Sequence, residues 1–245
     1  MLKEFIQHIQ DTTAPEIHEI EGNFYVVSPD GCEQIEKKIH KVSSITLNSL
    51  DAMVKMVKTE GLHFEGGDSP LYISIPTHDR AVCFAQPNFD YRFERVYYYE
   101  AQATDVPGWN EKVTMGFEEA QIALRTRFQH TEDTDYALKL LSDISCGAKV
   151  IYNDNGIATT VTTQKGVALQ TNAAIKPLLK LRPYRTFQEI AQPESLFLIR
   201  VNDRGISFTE ADGGMWKLKA RETVKDYFNK AFEEEIKNGS VVVML

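Results

Sequence analysis

Residues 174–210 read AIKPLLKLRPYRTFQEIAQPESLFLIRVNDRGISFTE. Short apolar runs alternate here with turn residues, and this spacing decides the fold of the C-terminal half. Val201-Asn202-Asp203-Arg204-Gly205 reads as a hairpin turn, because Asn, Asp and Gly tolerate positive φ. Residues 196–201 and 206–210 are the strands it joins, and residues 174–181 form a further strand before them. Working outward, Asn153-Asp154-Asn155-Gly156 and Ala211-Asp212-Gly213-Gly214 are two more turns. They delimit strands over residues 157–164 and 215–220. Short strands at this spacing predict an antiparallel sheet, folded as a sandwich or a half-open barrel. A helix over residues 221–237 closes it. Val224, Phe228, Ala231 and Phe232 form its apolar stripe and Gly239 ends it. A strand over residues 240–245 follows.

The half before this stretch reads as mixed helix and strand. Leu2, Phe5, Ile6 and Ile9 recur at helical spacing, and residues 23–27 form a strand closed by Ser28-Pro29-Asp30-Gly31. A helix is expected over residues 46–60, with Leu47, Leu50, Val54 and Val57 as its stripe and Gly61 as its C′ glycine. Residues 71–75, 80–85 and 91–103 read as strands. Two helices follow. One carries Phe117, Ala120, Leu124 and Phe128, the other Ala137, Leu140, Leu141 and Ile144. Thr131, Asp133 and Thr134 supply capping and early acidic residues to the second.

The expected class is therefore α+β. Residues 1–115 form a mixed subdomain, and residues 116–245 form a helical pair, an antiparallel β region and a closing helix and strand. The two are read as one composite fold. At 245 residues the chain is long enough to bury a core without a disulfide or metal staple. No apolar run approaches the ~18–20 residues of a spanning helix, so no membrane partner is expected. The segment MLKEFIQHIQDTTAPE lacks a signal peptide's apolar stretch.

Three cysteines, Cys32, Cys83 and Cys146, are widely separated and odd in number, which points to reduced thiols. No ligand-spaced Cys or His pair occurs, so neither a metal nor a cofactor is expected. Phosphate-loop, dinucleotide and nucleophile-elbow motifs are missing too, and no catalytic residue is assigned. Two weaker constellations remain. His78-Asp79 lies in a turn near Cys83, which a Cys/His nucleophile pair would require. Glu210 and Asp212 are paired carboxylates, although turn chemistry explains Asp212-Gly213-Gly214 equally well.

The net charge of −8 argues against wholesale coating of nucleic acid, but it is unevenly distributed. Residues 1–163 carry 14 basic and 25 acidic side chains, a net −11. Residues 164–221 carry 10 and 5, a net +5. Lys176, Lys180 and Arg182 fall on one face of a strand, with Leu179 and Leu181 on the other. With Arg185 and Arg200 they form a candidate nucleic-acid site, where Tyr184 and Phe187 offer stacking surface. The alternative is a solvated face, or one paired with the acidic part of the same or another chain. Tyr97 and Tyr99 belong to the densest aromatic run, which suits a core or a subunit interface. Val241, Val243 and Leu245 lie on an apolar terminal strand. It either pairs within its own sheet or extends a neighbour's.

Three stretches look familiar: FQHTEDTDY at 128–136, LRPYRTFQEIAQPESLFLIR at 181–200 and FTEADGGMWKL at 208–218. Over residues 116–245 the chain resembles the YfdQ-like proteins of phages and prophages, a family of unknown function. The resemblance implies phage origin, neighbours in early-region replication and recombination genes, and a host-cytoplasm location. It transfers no site residues. The leading expectation is a non-enzymatic accessory protein that self-assembles, as a ring or cage closed by its acidic and basic parts. DNA binding in replication, recombination or defence evasion is the alternative. A small-ligand sequestering protein, or an unusual enzyme, is the third.

Overall fold

The computed structural model describes residues 3–4, 16–20, 23–28, 31–35, 43–62, 69–87, 95–109, 112–145, 149–154, 159–165, 168–202 and 205–245. The chain opens with a meander of β1 (Glu16–Ile20), β2 (Asn23–Ser28) and β3 (Gly31–Ile35). β4 (Ile45–Leu47) leads into helix α1 (Leu50–Met56), which continues as a π-helical turn over Val57–Gly61. Next come β5 (Leu71–Thr77), β6 (Arg80–Phe84), β7 (Tyr97–Gln102) and β8 (Lys112–Met115). The helical pair is α2 (Phe117–Thr126) and α3 (Glu132–Ser145). A second meander holds β9 (Lys149–Asp154), β10 (Thr159–Lys165) and β11 (Ala168–Ala174). β12 (Leu178–Leu181), β13 (Ser195–Asn202), β14 (Gly205–Glu210), α4 (Met215–Ala231), α5 (Glu233–Lys237) and β15 (Val241–Met244) complete the chain. The mixed α+β class is as expected. Among the described residues, no helix is long and apolar enough to cross a membrane.

Two sheets carry two separate cores. The first sheet has the order β15-β5-β6-β7-β4 and is antiparallel in its middle but parallel at both edges. Its core joins Leu50, Met53 and Val57 of α1 to Ile73, Cys83 and Tyr99, and to Val224, Phe228 and Phe232 at the C-terminal end. The second sheet, β12-β13-β14-β8, is antiparallel throughout. α2 and α3 supply Ala120, Leu124, Leu141 and Ile144 against Leu181, Phe197, Ile199 and Phe208. A helical layer therefore covers this sheet, and among the described residues no sheet is closed into a barrel. The first core draws on residues both before and after 115, so the expected subdomain boundary there does not divide the cores.

Several local expectations are corrected. The helix expected over residues 46–60 starts at Leu50, because the Ser49 hydroxyl accepts the Ala52 N–H at 3.1 Å and fixes the cap. Leu47 instead ends the short parallel strand β4. Gly61 is no C′ glycine with positive φ. A Cβ there would meet Leu71 Cδ1 and Tyr99 Cε2, each at 3.2 Å, so glycine serves close packing. The strand expected over 174–181 is broken between β11 and β12, across Ile175-Lys176-Pro177. The strand expected over 215–220 is the start of α4. Trp216, Ala220, Val224 and Phe228 are buried at four-residue intervals, which is helical. Gly213 and Gly214 both take positive φ, and that left-handed turn swings the chain from β14 into α4. The helix expected from Leu2, Phe5, Ile6 and Ile9 lies outside the described residues.

Gly205 opens β14 where β8 crosses it, at φ +140°. A Cβ there would lie 2.1 Å from the Met115 carbonyl oxygen. Gly205→Ala is therefore expected to lower stability by about 2 kcal/mol or more, through strain that the backbone must relieve. Thermal denaturation reads this directly, and a variant melting with the parent would refute the close approach.

Candidate functional site

The chain crosses between the two cores at 103–109 and again at 210–215, and residues 182–194 run alongside. Residues of these segments, with His78 and Asp79 of the β5–β6 turn, line an open cleft of about 630 Å³. The loop that builds its floor is fastened from within. The buried Gln192 side chain accepts the Arg185 N–H at 3.0 Å and donates to the Phe187 carbonyl at 2.9 Å. Phe187 and Ile190 of the same loop sink into the first core. The Thr186 hydroxyl donates to the carbonyl of His78, at the β5–β6 turn, which ties the loop to the first sheet.

Arg185 is the centre of the cleft and is only 5% exposed. One Nη donates to Glu210 at the end of β14, and the other donates to Ser195 Oγ at the start of β13. Its guanidinium lies 3.6 Å from the centroid of the Trp216 ring, a close cation–π stack. Burial pulls the Arg185 pKa down, while Glu210 and Asp212 oppose the shift, so the pair stays ionic. The His78 ring meets Trp216 edge-on, at 4.6 Å between centroids. Burial lowers the His78 pKa, Asp79 partly opposes this, and Lys217 and Arg185 reinforce it. Trp109 forms the facing wall and packs edge-on against Phe128 at 4.6 Å.

Three residues that line this cleft each carry a buried N–H donor with no hydrogen-bond partner among the described residues. The donors are Arg185 Nε, Trp216 Nε1 and Trp109 Nε1. Tyr99 Oη, Arg182 Nε and Glu235 Oε2 also lack one but belong to other elements.

The residues singled out from sequence fare differently. Of the three cations read onto one strand, Lys180 lies on the exposed side of β12, opposite buried Leu179 and Leu181, whereas Lys176 falls in the break before β12 and half-buried Arg182 just after it. Each meets a carboxylate: Lys176 Nζ is 2.7 Å from Asp133, Lys180 Nζ 3.7 Å and Arg182 3.3 Å from Glu194. Partial burial pushes the Asp133 carboxyl up, but Lys176 and the Lys180 N–H outweigh it and hold the pKa low. Arg200 is exposed on β13, whereas Arg185 and Phe187 are interior. Tyr99 and Val241 are buried in the chain's own first core, Val243 packs against it, and Tyr97 and Leu245 are exposed. β15 pairs in parallel with β5, so the terminal strand joins its own sheet.

Cys83 is fully buried, and burial pushes its thiol up to about 12, which removes the thiolate a Cys/His pair would need. Cys32 is exposed and Cys146 lies outside the described residues. Glu210 is held by Arg185, and Asp212 accepts the Gly214 N–H at 3.0 Å in a local turn, so the two carboxylates do not act as a pair. Among the described residues, no three His, Cys, Asp or Glu are grouped to hold a metal ion. Trp109, Trp216, His78 and Lys217 complete the cleft and were not linked by the sequence. Their one signal is that both tryptophans of the chain end up there. No family model, curated protein or solved structure matches the chain.

The Arg185 and Glu210 side chains are 4% and 6% exposed. Removing one partner of such a pair strands the other charge, at a cost of about 3–5 kcal/mol. Glu210→Gln is expected to destabilise by a large part of that amount in urea unfolding. A shift of only a few tenths of a kcal/mol would mean that solvent screens the pair.

Proposed function

We propose that this chain is a small-molecule binding protein that works without catalysis, with its ligand site in the cleft between the two cores. The observation that carries the reading is the set of unpartnered N–H groups on Arg185, Trp216 and Trp109. Buried polar groups are normally hydrogen-bonded, and leaving one unsatisfied costs about 1–3 kcal/mol. Three on one cleft fit a place where a ligand completes the bonding. The volume of about 630 Å³ suits a drug-sized or nucleotide-sized molecule. The ionisable groups support holding over reacting, because Glu210 is engaged by Arg185 and Cys83 is buried far above its thiolate range. The DNA reading loses support because Lys176, Lys180 and Arg182 already face Asp133 and Glu194.

Self-assembly is a second reading. β15 is an edge strand, and Val242 and Leu245 are exposed along it. Native mass measurement at micromolar concentration is expected to give a multiple of the chain mass, and a clean monomer removes this reading.

Both tryptophans line the cleft, so intrinsic fluorescence reports on it alone. Titration with nucleotides, sugar phosphates, dicarboxylates and neutral nucleosides at millimolar concentration is expected to give a saturable change for at least one class. The same ligand should raise the melting temperature by mass action. Silence across all four classes would end the binding reading.

A further inference from the structure

We propose that the cleft is an oxyanion site: it takes a small molecule through a phosphate- or carboxylate-type group set against Arg185 Nε and the indole N–H groups of Trp109 and Trp216. The inference rests on the binding reading above and adds the chemistry of the ligand.

All three unpartnered atoms are donors. A ligand that satisfies them must present acceptors, and several at once. A neutral carbonyl offers one oxygen; a phosphate or carboxylate offers two or three on a single centre, with charge to strengthen each bond. Arg185 is suited to this role. Glu210 and Ser195 take one donor from each Nη and hold the guanidinium plane, and Trp216 covers one face. Nε remains buried without a partner among the described residues, a donor suited to side-on contact with a planar or tetrahedral anion. The guanidinium is thus positioned before the ligand arrives, which cuts the ordering cost of binding.

The charges around it point the same way. Glu210 balances Arg185, so the floor is neutral and a bound anion is not buried against an excess of carboxylate. Lys217 adds a cation to the lining, near the Trp216 ring at 5.7 Å. Asp79 is the carboxylate beside His78, with 40% of its side chain exposed. His78 supplies a conditional charge. The groups that act on it are Asp79, Lys217 and Arg185, the last carrying Glu210 and Asp212 with it. Its pKa in the free protein is low, so the ring is neutral at pH 7. An anion in the cleft favours the imidazolium and raises that pKa. By linkage, anion affinity rises as pH falls through the raised pKa of the bound state and levels off once pH is below the lower free-state value.

The test uses the intact protein and intrinsic fluorescence. The probes are sulfate, inorganic phosphate and malonate, with N-methylacetamide as a neutral acceptor. Saturable responses are expected from the anions and none from the amide. The ratio of phosphate to malonate affinity tells a phosphoryl from a carboxylate ligand. Sulfate keeps its charge between about pH 7.5 and about pH 5.5, and its affinity should rise several-fold over that range. His78→Gln should flatten the profile. Trp109→Phe and Trp216→Phe each remove one N–H, keep a ring and leave the other tryptophan as reporter. Each should weaken sulfate about tenfold, the usual loss for a bond to a charged group. Lys139→Ala, on the exposed side of α3, should bind as the parent does. Arg185→Lys is the more drastic change; should it fail to fold, the two indole variants still decide. No saturable response to any of the three anions overturns the proposal, as does unaltered sulfate affinity in both indole variants. A response to N-methylacetamide alone would sink the oxyanion chemistry and leave the binding reading standing, whereas silence from all probes and from the four ligand classes would remove both.

Discussion

The buried pair between Arg185 and Glu210 is the contact on which the arrangement between the two cores depends. A charged guanidinium inside a protein needs a countercharge and hydrogen bonds, or it does not stay there. Each of its demands is met by a different part of the chain. β14 provides Glu210, β13 provides Ser195 and α4 provides the Trp216 ring. The neighbouring Thr186 reaches the β5–β6 turn. Arg185 thereby ties the end of the second sheet to the start of α4, and Thr186 beside it ties both to the first sheet. The cleft is the space left above it.

The parts of this design visible in the sequence are those that depend on local pattern. The alternation of Leu179 and Leu181 with Lys180 gave β12 its inward and outward faces, and the structure has them so. The stripes of α2 and α3, and the Thr131 hydroxyl that accepts the Thr134 N–H at 3.1 Å, were equally legible. Residues 215–220 misled because MWKLKA alternates apolar and polar residues, a period of two. Tertiary packing chose the helix, since only a helical turn brings Trp216, Ala220 and Val224 onto one buried line. The start of α1 was misjudged for a related reason. Leu47 fits a helical stripe by spacing, but the Ser49 cap sets the boundary after it.

The site was half legible. Arg185 stood out as a cation, but as one of a row facing phosphate. Sequence reports charge and spacing, and it cannot report that Arg185 points inward while Lys180 and Arg182 point outward. Glu210 was noted beside Asp212, yet its partner lies twenty-five residues earlier in the chain. His78, Trp109 and Trp216 sit on three separate elements, and no periodicity connects them. The segmental charge was a true signal with a local explanation. The basic strand is answered by Asp133 from α3 and by Glu194 just before β13, so much of the imbalance between acidic and basic segments is settled within the second core.

The parallel pairing of β15 with β5 has a consequence for the order in which the chain can fold. β5 begins at residue 71 and its partner at residue 241, and α4 and Phe232 complete the same core. During synthesis the first sheet therefore waits, with its β5 edge open, until residue 244 has cleared the ribosome. The second core draws on residues 109 to 208. It contains neighbouring hairpins and a helical pair, contacts that close quickly. The usual vectorial order, in which N-terminal structure forms first, is reversed here. The inner segment folds while the strands made before it remain exposed, and β15, made after that segment, closes the sheet to which β5 belongs.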